Sequence, residues 1–221
     1  MKKMKKIIIL LLLTIMSNIY GQGSVSMPTQ EGFLEKIFIE GLNESFKYSD
    51  INGSAYIDDT FRQAKVSQDY VAIEARYNTY KDEIEFKQNN QIYVLPKNSS
   101  FSRIEFLGTK EILVLLGLNG KEGYFFELYS KNNKALLKKV TTTLTIPEKN
   151  KSTYADDSPP SFKTAINYYI GVGDHFMEIP SKRKKIYDLF PSQKADLESK
   201  VKAKNIDINT DKGLIEFVGL L

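Results

Sequence analysis

The chain of 221 residues has no cysteine, no tryptophan and one histidine, and each shortage removes a class of chemistry. Without cysteine there is no disulfide scaffold, thiol nucleophile, iron–sulfur cluster or thiolate zinc site, so stability has to come from an ordinary hydrophobic core. A chain of this length can bury one. The same absence removes the residue that carries the lipid of a bacterial lipoprotein. A single histidine, His175, excludes metal sites built from several imidazoles. No tryptophan is present to stack on a sugar, although 13 Tyr and 13 Phe supply other aromatic surface.

The amino end is the most informative segment. Lys2, Lys3, Lys5 and Lys6 precede an apolar run from Ile7 to Met16, followed by Ser17-Asn-Ile-Tyr-Gly21. Charge, a short apolar core and a small residue in that order predict a secretory signal peptide over residues 1–21, cut near Gly21/Gln22. The 14 residues from Ile7 to Tyr20 fall short of the about 20 that a membrane-crossing helix needs, which favours cleavage over an uncleaved anchor. An exported protein is expected, periplasmic or extracellular, with no membrane span after cleavage. The chain carries 31 basic and 27 acidic residues, and four of the lysines lie in the leader, so 27 of each remain. The apparent basicity therefore belongs to the leader and makes nucleic acid an unlikely partner.

Residues 22–30, with Gly, Ser, Met and Pro, read as a flexible leader. Phe33, Leu34, Ile37, Phe38 and Leu42 recur at helical spacing and predict a short amphipathic helix ending near Asn43. Farther on the period changes to two. Tyr70–Tyr77, Glu83–Phe86, Gln91–Leu95, Phe101–Phe106, Glu111–Leu116, Gly123–Tyr129 and Ala135–Ile146 read as strands. Asn78–Asp82, Lys87–Asn90, Asn119-Gly120 and Ser130–Lys134 supply the turns. The apolar run in Glu111–Leu116 suits a strand covered on both faces.

Glu148–Ser161 reads as an exposed loop and the best internal boundary, and one more hairpin surrounds Gly171-Val-Gly-Asp174. Three short helices close the chain. The first covers Lys182–Phe190, capped by Ser181; the second carries Leu197 and Val201; the third is capped by Asn209 or Thr210 and aligns Leu214, Phe217, Val218 and Leu221. The predicted fold is α+β: a predominantly antiparallel β-sheet, a meander free to roll or to close as a barrel, with an N-terminal helix and a small C-terminal helical unit. The helix and β region occupies residues 31–147, and the hairpin and helices of residues 162–221 pack on the same domain.

Several short segments carry a resemblance. They are Gly53-Ser-Ala-Tyr-Ile57 with Phe61 and Lys65-Val66, Ala75-Arg-Tyr-Asn78 with Asp82-Glu-Ile-Glu85, Tyr93-Val-Leu-Pro96 and Gly123-Tyr-Phe125. Ala135-Leu-Leu-Lys-Lys139, Tyr168-Tyr-Ile170 and the Lys-rich segment ending in Leu189-Phe190-Pro191 continue the series. Over most of residues 50–221 the chain resembles uncharacterised secreted proteins of the Bacteroidetes. The resemblance implies export from a bacterial cell and a shared fold, with no family activity or catalytic residues to carry over.

Candidate chemistry is sparse. His175 is the natural base near neutral pH, but beside Asp174 in a tight turn an exposed structural role is favoured. Gly171-Val-Gly173 lacks the following helix that a phosphate loop requires. Glu83 and Glu85 share a strand face, which favours a solvated surface over a glycosidase pair drawn from separate elements. Asp58-Asp59 and Asp156-Asp157 lack the spaced oxygens of a calcium loop. Lys182-Arg-Lys-Lys185, Lys138-Lys139, Lys200, Lys202 and Lys204 could meet an anionic surface, with a solvated helix face as the default. Tyr77, Tyr80, Tyr93, Tyr124 and Tyr129 are the candidate partner or ligand surface. No assembled catalytic motif, cofactor site or metal site is expected. The leading expectation is a non-catalytic binding or envelope-associated interaction protein, whose partner is an envelope protein or a small ligand. A hydrolase using carboxylates on envelope or extracellular polymers is the alternative, and a protein whose sheet edge pairs with a partner is a third.

Overall fold

The computed structural model describes residues 36–39, 44–67, 71–118, 120–147 and 159–221. The predicted signal peptide, the leader and most of the 148–161 loop lie outside them.

Alternating apolar and polar residues through the middle of the chain become the strands of one ten-stranded sheet, antiparallel at every named pairing. In chain order they are β3 Arg62–Lys65, β4 Ile73–Asn78, β5 Glu83–Gln88, β6 Gln91–Val94, β7 Arg103–Phe106 and β8 Ile112–Leu118. β9 Lys121–Lys131, β10 Lys134–Thr145, β11 Ser161–Val172 and β12 His175–Glu178 complete the set. Their order across the sheet is β12-β11-β10-β9-β8-β7-β3-β4-β5-β6. Tight turns match their residues: Asn89, Asn90, Asn132 and Asn133 adopt positive φ, as does Gly120, the conformation that hairpin turns demand. β8 is covered on both faces, with Leu113, Val114 and Leu115 all buried.

Three local expectations change. The helix expected up to Asn43 is absent where the chain is described: Lys36–Ile39 is strand β1, paired antiparallel with β2, Glu44–Lys47. Ile37, Phe38 and Ile39 are β-branched or aromatic, residues that suit a strand better than a helix. The rest of that predicted helix lies outside the described residues. β3 has no counterpart among the expected strands, because Arg62-Gln-Ala-Lys65 offers only Ala64 as an apolar signal; pairing with both β4 and β7 makes it a strand.

The first C-terminal helix is a 3-10 segment, Arg183–Leu189, and Ser181 does not cap it; Lys182 occupies that position without a side-chain bond. Pro191 ends the segment by driving Phe190 out of helical geometry, at φ −129° and ψ 63°. The remaining helices, α1 Lys194–Ala203 and α2 Asp211–Leu220, form as expected, and Thr210 caps α2 by accepting from the Gly213 N–H at 3.0 Å.

The sheet rolls without closing into a barrel. Leu136 pairs with Tyr129 and Leu137 with Glu127, which leaves Leu128 as the extra residue of a bulge. Bulges sharpen strand twist, and the β9–β10 register ends at Lys138. The β4–β5 turn moves against β10 beyond that point: Thr142 N donates to Thr79 O at 3.1 Å, and the two threonine hydroxyls lie 2.7 Å apart. The largest core fills the roll, combining Ala64, Tyr77, Ile84 and Phe106 with Leu113, Tyr124 and Val140. A second core lies between Leu136, Tyr168 and Ile170 of the sheet and Leu197, Leu214, Phe217 and Val218 of the helices. Tyr48, Ile51, Ala55 and Tyr56, from the segment before β3, form a third with Phe162.

Candidate functional site

The charged residues of the roll assemble in two groups. Arg76 and Glu85 stand directly opposite each other in the β4–β5 register, on the face away from the central core. Glu85 is completely buried, and Arg76 Nε donates to its Oε2 at 2.7 Å. Asn78 Nδ2 donates to Oε1 at 2.8 Å, and the Tyr56 hydroxyl lies 3.1 and 3.2 Å from the two oxygens. The guanidinium is held between the rings of Tyr56 and Phe61, each 4.3 Å away, and reaches Asp59 O at 3.1 Å. Burial and the adjacent Glu85 charge push the Tyr56 hydroxyl well above its ordinary pKa. The group clamps residues 56–61 onto β4 and β5. It corrects the expectation of a solvated face at Glu83 and Glu85: Glu83 is half-buried, with its carboxyl raised by burial, and Glu85 is enclosed.

The second group centres on Asp82, at the end of the β4–β5 turn. Asn78 organises this turn by accepting from the N–H groups of Tyr80 and Lys81 through Oδ1. Asp82 accepts from Lys139 at 2.6 Å, Lys97 at 3.0 Å, the Tyr77 hydroxyl at 2.6 Å and the Tyr124 N–H at 3.2 Å. Burial lowers the Lys139 pKa while the Asp82 carboxylate opposes that shift. A Cβ at residue 123 would lie 2.6 Å from the Asp82 carboxylate and 2.9 Å from Lys139 Nζ, so Gly123 makes room for the pair. In both groups the acid already accepts several bonds.

The five tyrosines are not gathered on one face. Tyr77 and Tyr124 are buried in the central core, edge to face at 6.1 Å. Tyr80 packs on Tyr48 and Phe162, Tyr93 stacks on Phe86, and Tyr129 lies against the C-terminal core. His175 is exposed at the start of β12, and Gly173 takes positive φ in the turn before it. Asp58 accepts from Thr60 N and lies 3.3 Å from Arg62, while Asp156-Asp157 lies outside the described residues. Among the described residues no group of three or more His, Asp or Glu could hold a metal ion.

The candidate lysines divide likewise. Lys138 pairs with Asp211, Lys139 with Asp82 and Lys200 with Asp196. Lys182, Arg183, Lys184 and Lys185 are in none of the ion pairs formed among the described residues, and the three lysines are exposed. They rim a groove of about 630 Å³ that is lined also by Tyr187, Val201, Ile206 and Ile208 from the 3-10 segment, α1 and the α1–α2 loop, with Glu198 and Asp207 as its acids.

Spacing makes the Arg76–Glu85 pair partly legible, since opposite charges on adjacent predicted strands can face each other. Nothing local signals that residues 56–61 will bury it. Compared with known proteins, the chain matches no family model, and neither the curated proteins nor the solved structures give a match.

Proposed function

We propose that the chain is an exported, non-catalytic binding protein of the cell envelope, with the groove beside Lys182–Lys185 as its site for an anionic group of a partner. One contrast carries the reading: the buried and half-buried acids and bases of Arg76–Glu85 and Asp82–Lys139 are consumed by each other, whereas four consecutive cations rim an open groove outside those pairs. Apolar Val201, Ile206 and Ile208 beneath a charged rim suit a ligand that presents an anion beside an apolar surface. The predicted leader supplies the destination.

The test is a photo-cross-linking residue at Lys184 in the native envelope, followed by identification of the adduct. A discrete adduct that weakens as salt rises is expected. Its absence, or turnover in a panel of glycan, peptide and ester substrates, would overturn the reading.

A further inference from the structure

The outer edge of β11 is open over its middle. β11 pairs with β10 along its whole length, from Ser161↔Thr145 to Val172↔Lys134, whereas β12 covers it only from Tyr169 to Val172. In an antiparallel ladder a residue directs its N–H and C=O to one side, and successive residues alternate sides. Phe162 N donates outward to Asn52 O at 2.7 Å, and Tyr168 O accepts from Ile179 N at 2.8 Å. Even-numbered residues therefore face outward. Between these two closures stand the N–H and C=O groups of Thr164 and Ile166, which none of the backbone bonds among the described residues takes up.

The side chains agree. Lys163, Thr164, Ala165, Ile166 and Asn167 are all exposed. Ile166 lies beside Val140 in the register, on the side of the sheet that buries Val140, Phe162 and Tyr168, yet it is 49% exposed, with no further strand among the described residues flanking it. Cations bracket the open interval on opposite faces of the sheet, because side chains alternate along the strand. Lys163 stands at one end, and at the other the Arg183 guanidinium lies 4.5 Å from the Tyr168 ring. A groove of about 460 Å³ continues from Ile166 past Tyr168, Ile179 and Pro180 to Arg183. Glu178, the acid on this groove, accepts from Asn167 Nδ2.

We infer that the edge of β11 from Phe162 to Tyr168 takes an extended peptide of alternating acidic and apolar residues as an eleventh strand. The peptide's backbone completes the bonds of Thr164 and Ile166, its apolar side chains lie on the Ile166 face, and its carboxylates, on the opposite face, meet Lys163. A second copy of this chain fits the charge less well, because pairing two β11 edges about Ala165 sets Lys163 opposite Asn167 and leaves it unneutralised. The inference rests on the binding-protein reading and names both a surface and a partner class for it.

The test titrates the intact exported chain with the capped heptapeptide Glu-Val-Glu-Val-Glu-Val-Glu and with its lysine counterpart. Saturable binding of the acidic peptide is expected, with slowed hydrogen exchange at the Thr164 and Ile166 amides and at least tenfold weaker binding of the basic one. Thr164→Pro, which removes an outward N–H without touching the β10 ladder, should weaken binding at least tenfold. Ile166→Asp should do the same through the side chain alone, and exchange in the unmodified chain needs neither variant to fold. Binding without protection of those amides, or equal binding of both peptides, overturns the inference but leaves the Lys184 adduct as separate support for a binding protein. So does edge-dependent dimerisation, which would assign the edge to a second copy. No binding at all overturns it too, and the broader reading is then decided separately by the Lys184 adduct and the substrate panel.

Discussion

Lys139 Nζ lies 2.6 Å from Asp82 Oδ1, joining β10 to the β4–β5 turn although five neighbour-to-neighbour steps separate β10 from β4 in the sheet. With the Thr79–Thr142 contacts, this ion pair fastens the roll. Asp82→Ala would leave Lys139 half-buried without its counter-charge and strip the acceptor from Tyr77. A loss of about 3 kcal/mol is expected, read from the urea midpoint at unchanged slope. A loss under about 1 kcal/mol would mean that packing alone holds the roll.

Glu85→Gln keeps the shape of the Arg76–Glu85 network and removes its negative charge, leaving the Arg76 guanidinium between two rings. A cost of about 3 kcal/mol or more is expected. Arg76→Met combined with Glu85→Gln should lose less than the sum of the two single substitutions, because the second change removes the stranded charge. Additive losses would contradict the coupling.

High pH should unfold the chain through its tyrosines. Burial raises the Tyr48 and Tyr168 hydroxyls to about 12, the latter with help from its bond to Asp211, and pushes Tyr56, Tyr77 and Tyr124 higher still. A folded pKa above the unfolded value near 10 gives stability that is present below pH 10 and lost as pH rises through the folded value. Denaturation midpoints should hold steady below pH 10 and fall from about pH 10 to 12. Tyrosinate absorbance should rise in two stages, exposed rings first and buried ones with unfolding. A single stage near pH 10 with the fold intact would contradict this.

Two glycines of α2 should respond oppositely to alanine. At Gly213 an added Cβ would lie 1.8 Å from Asp207 O, while at Gly219 nothing lies within 4 Å. Gly213→Ala is expected to destabilise by about 2 kcal/mol or more, since backbone must move. Gly219→Ala should stabilise by up to about 1 kcal/mol through helix propensity. Thermal melts of the two variants check the signs.

Strands β4 to β12 were legible wherever β-formers stand between turn residues, as in Glu83–Phe86 before Asn89-Asn90. β3 was not, because a strand with one apolar residue depends on its neighbours for both its pairing and its burial. β1 was misread as helix because Phe33, Leu34, Ile37, Phe38 and Leu42 satisfy a spacing of three and four while Ile37-Phe38-Ile39 also suits a strand. The C-terminal stripe of Leu214, Phe217, Val218 and Leu221 left no such ambiguity, and Thr210 had the side chain to cap it.

The candidate site was less legible than the fold. Lys182–Lys185 stands out in the sequence as a basic run, but the run alone cannot show that Lys138, Lys139 and Lys200 are paired elsewhere. The tyrosines were chosen by type, and type does not separate a buried ring such as Tyr124 from a half-exposed one such as Tyr93.

By itself the sequence determined the α+β class, the turn positions, the C-terminal helices and the absence of thiol chemistry, because these follow from residue type and short-range periodicity. Tertiary structure alone decided that the sheet rolls, that Glu85 is enclosed and Asp82 paired across the roll, and that, among the described residues, β11 leaves its edge open at Thr164 and Ile166. Each of these depends on contacts between residues far apart in the chain, such as Asp82 with Lys139, or on which strand happens to end first, as β12 does at Glu178. Local propensity carries no information about either.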